Sequence, residues 1–310
     1  MSLPPEHMQY PMRRHGMDHD RYEWSSLTDR PPIKWPGGAR IALWVTPILQ
    51  WFPLNMPSTP FMAPGGLTMP YPDYRHYTNR DYGNRVGIFR VLELLDRYKI
   101  AASVFVNAAI AQRYPSLLRE LTDRRMEIVA HGLDMGRLHH SGLSEEQETE
   151  LVSRSCQLLE AAAGQPIKGW LSPGRSQSWH TLDVLAAQGI EYCCDWANDD
   201  MPYEMLTQTR PVLSMPLVHE ADDRMILQEF RHTEDEWVQQ TKDRFDVLYR
   251  EAERYGGRIM SLPLHAWIMG VPYRATYLRE VLEYIAARDG VWIATGQEIA
   301  AEFRRQSGVY

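Results

Sequence analysis

Cysteine is scarce in this chain: three residues in 310, at Cys156, Cys193 and Cys194. Cys193 and Cys194 are neighbours in an apolar run, where successive strand residues point to opposite faces. That count and spacing exclude a disulfide framework and a zinc knuckle, and they favour a reducing, cytoplasmic compartment. A basic excess is also missing, since 40 Asp and Glu against 33 Lys and Arg leave a formal charge of −7. Nucleic-acid binding is therefore not expected. No apolar run approaches the ~18 residues of a membrane span. The stretch from Met1 to Met17 is polar and lacks the apolar centre of a signal peptide. No glycine-rich phosphate loop follows the first apolar run, so a nucleotide is not expected either.

Hydrophobic residues make up 44% and charged residues 24%. That is ordinary globular composition, in a chain long enough for a large core without staples. Aromatics are plentiful, with 10 Trp and 16 Tyr. They can fill a core or line a pocket for a flat ligand.

Residues 1–38 read as an irregular arm, and 39–310 as a single domain. Within it apolar β-rich runs alternate with helical patterns. The runs are 40–49, 102–107, 126–131, 167–172, 190–195, 212–217, 258–265 and 291–295. Helices are expected over 84–99, 108–124, 144–163, 235–255 and 274–288. Ser144 with Gln147 three residues on is a helix-start signature, and Gly164 a stop. A long Pro/Gly/Met/Tyr stretch fills 52–83, and stretches of that kind are commonly functional. Repeated alternation implies a parallel sheet. Seven or eight strands in this length suit a closed or nearly closed barrel, with a doubly wound open sheet as the alternative.

In such barrels functional groups sit at the C-terminal ends of strands. The residues there are Gln50 and Trp51, Asn107, His131, Ser172 to Arg175, Asp195, and His265. His131 and His265 are the sharpest pair, each placed directly after an apolar strand where it can exchange protons or hold a metal. Asp195, Asp199 and Asp200 lie beside Trp196. Arg175 follows Pro-Gly and is suited to a carboxylate or a developing oxyanion. Arg85 precedes a helix and either caps it or reaches the mouth. The acidic pairs Glu145-Glu146 and Asp222-Asp223 read as helix-start charge, with no function assigned.

The chain resembles the polysaccharide deacetylase superfamily, and within it the allantoinase-like, urate-catabolism branch. The residues that carry the resemblance are WPGGARIA at 35–42, YGNRVG at 82–87, EIVAHG at 127–132 and LSEEQE at 143–148. They continue with GW at 169–170 and Gly174-Arg175, NDDMPY at 198–203, KDRFDVLYREA at 242–252, LHAWIMGVPYR at 264–274 and GVWIAT at 290–295. The resemblance implies a distorted (β/α)7 TIM-like barrel and an oligomer, a dimer or tetramer. It implies hydrolysis of a non-peptide C–N bond in a small amide, cyclic imide or ureide, or in an N-acyl sugar.

Metal-dependent members carry two adjacent aspartates where this chain has Gln50-Trp51. They carry a second histidine where it has Met135. Hence no tightly held metal is expected. Zinc would need His131 together with His139 or His140, because catalytic zinc takes three protein ligands. The resulting assignment makes His131 and His265 the acid/base pair, with Asp199 or Asp195 orienting a histidine. Arg175, Gln50, Arg85 and Asp200 bind substrate, and Trp51, Trp170 and Trp196 wall the pocket. Two alternatives stand beside it: a metal-dependent N-deacetylase of a glycan, and a degenerate barrel that binds without turnover.

Overall fold

The structure is a computed structural model describing residues 19–66, 69–70 and 72–308. The first part of the expected arm, residues 1–18, lies outside the described residues. One sheet holds every named strand: β1 (Ile41–Leu49), β2 (Ser103–Val106), β3 (Glu127–Ala130), β4 (Gly169–Trp170), β5 (Tyr192–Cys193), β6 (Tyr203–Met205), β7 (Val212–Ser214), β8 (Arg258–His265) and β9 (Val291–Ile293). Its order is β6-β7-β5-β4-β3-β2-β1-β8, with β9 paired to the start of β1. All pairings are parallel except β6 with β7. The expected barrel is thus a curled half-barrel whose ends are β6 and β8. Across the open seam, Val218 N donates to Ser261 Oγ at 2.9 Å and Arg244 Nη1 donates to Ser261 O at 2.7 Å.

Among the described residues, ten α-helices surround the sheet. The 52–83 stretch is not all irregular, because α1 (Tyr74–Tyr82) begins within it. Asp73 caps α1 by accepting from His76 N. A single-turn π segment, Gly83–Gly87, joins α1 to α2 (Ile88–Arg97). α3 (Ala108–Arg113), α4 (Pro115–Asp123) and α5 (Glu145–Ala163) follow. The Ser144–Gln147 capping box starts α5 and left-handed Gly164 ends it. α6 (Thr181–Ala187), α7 (Glu234–Tyr255), α8 (Ala266–Met269), α9 (Pro272–Ala286) and α10 (Gly296–Ser307) complete the set.

Strand parity organises the core. All nine residues of β1 are buried, as expected where both faces are covered. Ile41, Leu43, Val45 and Leu49 pack outward on the helices, while Ala42, Trp44 and Ile48 pack inward. Val129 and Leu171 are inward, and Ala130 and Trp170 outward. Cys194 and Ile259 are inward, and Cys193 and Leu264 outward. Extending this period of two past each strand end predicts which residues reach the mouth. Gln50 follows Ile48 inward, His131 follows Val129, and His265 follows Ile259. Trp51 and Asp195 fall on the outer face.

The arm is tied to the sheet edge. Leu206 N donates to Arg21 O at 2.7 Å, and Ile33 bridges Gly256. The first contact lies just past β6 and the second just before β8, the two edge strands of the sheet.

Candidate active site

At the C-terminal ends of the strands lies a cavity of about 60 Å³. Gln50, His131, Ser172, Arg175, His219, Asp222, Arg224 and His265 supply its polar lining, and Ile48, Met135, Leu171 and Leu217 part of its apolar wall. His265 ends β8. Its ring Nδ1 lies 2.6 Å from Asp223 Oδ1, and its backbone N donates to Asp223 Oδ2 at 2.7 Å. Asp223 is fully buried, and burial pushes its carboxyl up while His265 beside it pulls it back down. With Nδ1 engaged, Nε2 is the nitrogen left for proton exchange in the cavity.

His131 is buried as well. Its Nδ1 lies 2.9 Å from Leu171 O, so Nδ1 carries the proton and Nε2 is an acceptor. Gln50 Nε2 approaches that acceptor at 3.3 Å, while Gln50 Oε1 accepts from Trp267 Nε1 at 3.3 Å. Indole only donates, so the chain Trp267 to Gln50 to His131 has one consistent polarity. Burial above all, with the nearby His265 and Arg175 charges, holds His131 down at about 4. It is therefore neutral near pH 7. Asn84 Nδ2, from the π segment, donates to Gln50 O at 3.0 Å.

Arg175 is in the lining, but much of its donor capacity is spent on main chain. Nη1 donates to Cys194 O and Leu217 O at 3.1 Å each, and Nη2 to Val218 O at 3.0 Å. It pins the ends of the β5 and β7 strands and adds positive charge without a carboxylate partner among the described residues. His219 lies between this cavity and a neighbouring one of about 190 Å³ in the seam. Its Nδ1 is buried without a hydrogen-bond partner, and burial lowers its pKa.

Several sequence assignments need correction. Asp195 orients neither histidine: it accepts from Ser172 N, Ser172 Oγ and Gln177 Nε2 at 2.6, 2.7 and 2.7 Å. The outward parity of its position explains this. Asp199 is engaged by Arg30 at 2.7 Å, which anchors the arm. Asp200 lines the seam cavity instead of the catalytic one. Arg85 is exposed on the π segment, away from the lining. None of the three tryptophans walls the cavity. Trp51 packs among Tyr77, Tyr114 and Arg113. Trp170 is fully buried on the outer face, and Trp196 packs with Tyr22 and His19.

Asp222 and Asp223, with His219 and Arg224, are the site residues that the sequence reading missed, and the two aspartates matter most. As a sequence they look like helix-start charge, and Asp222 does accept from Met225 N at 2.7 Å. The only local signal was that the pair lies in a loop after a strand, which is too common to single them out.

The metal-bearing positions of metal-dependent members do not fit a metal here. Gln50 is a neutral amide turned to His131. Met135 is buried in an apolar cluster with Phe52, Met56 and Leu138. His139 is 1% exposed and locked on Glu148 Oε1 at 2.7 Å, so it cannot join His131, and His140 lies outside the cavity lining. Asp222, Asp223 and His265 do bring three metal-capable atoms within 4.8 Å of one another. Both Asp223 oxygens are already held by His265, however. A cation there would compete with those two N–H donors for the Asp223 oxygens, whereas catalytic zinc uses three available protein ligands.

Residues 73–193 match the polysaccharide deacetylase family. That segment carries the polysaccharide deacetylase signature. Its fold is similar to the crystal structure of the allantoinase PuuE, with 25% identity and a TM-score of 0.80 over 92% of this chain and 99% of that one. A probable polysaccharide deacetylase from Pseudomonas aeruginosa PAO1 is similar too, with 27% identity and a TM-score of 0.79 over 97% and 100% of the two chains. A Schizosaccharomyces pombe protein assigned as a polysaccharide deacetylase is 25% identical over 263 residues, 77% of this chain and 81% of that one. The domain thus belongs among hydrolases of amide-type C–N bonds.

Proposed function

We propose that this deacetylase-type domain hydrolyses a C–N bond in a small amide, cyclic imide or ureide, with His265 as acid/base. The observation that carries the reading is the Asp223–His265 pair at 2.6 Å on the wall of the cavity. A buried carboxylate on Nδ1 fixes the ring's tautomer and stabilises the imidazolium formed during turnover. His265 Nε2 takes a proton from water as the water oxygen bonds to the substrate carbonyl carbon. The electron pair of the C=O moves to oxygen. Gln50 has a second Nε2–H beyond the one given to His131, and this N–H with the Arg175 charge stabilises the oxyanion. Collapse re-forms C=O, breaks C–N and passes the His265 proton to the leaving nitrogen. His131, neutral near pH 7, positions Gln50 and exchanges no proton in this scheme.

The small cavity favours a small substrate over a glycan chain. Among the described residues no helix is long and apolar enough to cross a membrane. The three cysteines are free and buried, which supports a reducing, cytoplasmic setting. A homo-oligomer, dimeric or tetrameric, is the expected assembly.

The test is turnover of a panel of cyclic ureides, imides and N-acyl sugars by purified protein, before and after chelation, beside His265→Ala. Chelator-resistant ring opening that His265→Ala abolishes is the expected result. Turnover lost on chelation and restored by zinc would instead favour the metal-dependent N-deacetylase. Binding without turnover across the panel would favour the degenerate barrel.

A further inference from the structure

A second cavity, of about 230 Å³, lies at the other end of β8 from His265. Eight strand residues at roughly 3.3 Å each separate the two sites by about 23 Å. Leu27 and Ile33 of the arm form one wall, and Met201 and Phe303 face them from the barrel. Two guanidinium groups, Arg30 and Arg258, line it as well.

The two arginines differ in what they have left to give. Arg30 is largely committed: its Nη atoms hold Asp199 and Ser25 O, and its Nε donates to Ser25 Oγ at 2.7 Å. Arg258 is 3% exposed and has no carboxylate within ion-pair distance among the described residues. Its Nη2 makes one long bond, 3.4 Å to Tyr255 O, and its Nε is buried with no hydrogen-bond partner. The Tyr255 ring lies 5.5 Å from the guanidinium. The acidic groups that act on Arg258 do so from farther away: Glu251, Asp200, and an Asp199 already engaged by Arg30. Glu204 also lines the cavity, but it is half-exposed.

A buried charge without a partner is strongly unfavourable, and a planar fork of free N–H groups matches a carboxylate. The walls beside it are apolar. We infer that this cavity is a binding site, separate from the catalytic mouth, for a small monocarboxylate with an apolar body. The carboxylate sits on Arg258, and the hydrocarbon lies against Leu27, Ile33, Met201 and Phe303. Such a ligand touches both the arm and the barrel, so it clamps the arm to the sheet.

The experiment is titration calorimetry of the full chain with benzoate and hexanoate, against benzamide and hexanamide as uncharged controls of the same shape. The expected result is saturable carboxylate binding at least tenfold tighter than that of the amides. Arg258→Gln should remove that preference. Leu27→Asp is the second variant, because Leu27 is 39% exposed at the lip and its replacement leaves the core intact. It places a negative charge beside the incoming carboxylate and should weaken binding about tenfold. Equal affinity for acids and amides would overturn the proposal, as would undiminished carboxylate binding in Leu27→Asp. Loss of binding in His265→Ala would also overturn it, by placing the acid at the catalytic mouth.

Discussion

Asp223 holds His265 at two points, the ring Nδ1 at 2.6 Å and the backbone N at 2.7 Å. One buried carboxylate thereby sets both the rotation of the imidazole and the position of the strand end that carries it. The two residues are 42 positions apart, so the contact belongs to the fold and not to any local motif.

Replacing that carboxylate should affect chemistry more than substrate binding. Asp223→Asn keeps the shape and removes the charge that stabilises imidazolium. We expect kcat to fall by roughly 10²- to 10⁴-fold with KM little changed. Steady-state kinetics on the best substrate of the panel would show it, and an unaltered kcat would remove His265 from the acid/base role.

Metal content gives an independent reading. Because Gln50 and Met135 replace metal-binding positions, freshly purified protein should hold well under one zinc per chain by elemental analysis. Stoichiometric zinc would overturn this reading and point to Asp222, Asp223 and His265 as the ligands.

Acid sensitivity follows from His131. Burial holds it at about 4, below its ordinary value of 6.5, so the unfolded chain binds the extra proton first. Stability is therefore complete above pH 6.5 and declines as pH falls toward 4. At 1.36 kcal/mol per unit, the loss from this group is about 3 kcal/mol. Asp223, pushed up by burial, works in the opposite direction and gains on protonation. Urea denaturation at pH 7 and pH 4.5 should show a smaller difference for His131→Leu than for the unaltered chain.

Close backbone contact beneath the site gives a fourth prediction. A Cβ at Gly87 would stand 2.2 Å from Ala266 O, in the helix that directly follows His265. Gly87→Ala must push α8 away, at a cost of about 1–3 kcal/mol for an overpacked core. Its denaturation midpoint and its kcat should both drop.

A control comes from the residues that the fold moved out of the site. Trp51→Ala and Asp199→Asn should leave kcat within about twofold, since neither lines the cavity. Asp199→Asn should instead loosen the arm held through Arg30, which limited proteolysis would detect as faster cleavage before Ile33.

Much of this was readable in advance. Alternating apolar runs and helical patterns indicated a parallel sheet, and the Ser144 capping box placed a helix start correctly. The deacetylase resemblance indicated the curled barrel. Strand parity, applied to the same runs, separates Gln50, His131 and His265 from Trp51, Trp170 and Asp195. The short strand β6 was not readable, because its three residues pair antiparallel at an edge, where burial imposes little pattern. Helix α1 was hidden in a segment of turn-forming residues.

The amino-acid sequence alone determined which side chains at the strand ends share a face, because a strand turns its side chains over every second residue. Only the tertiary structure decided what those side chains meet. Sequence distance carries no information about which loop returns to a strand end once the sheet has curled. That return gave His265 the carboxylate of Asp223 in place of Asp195 or Asp199, and it left Arg258 buried without a carboxylate partner among the described residues.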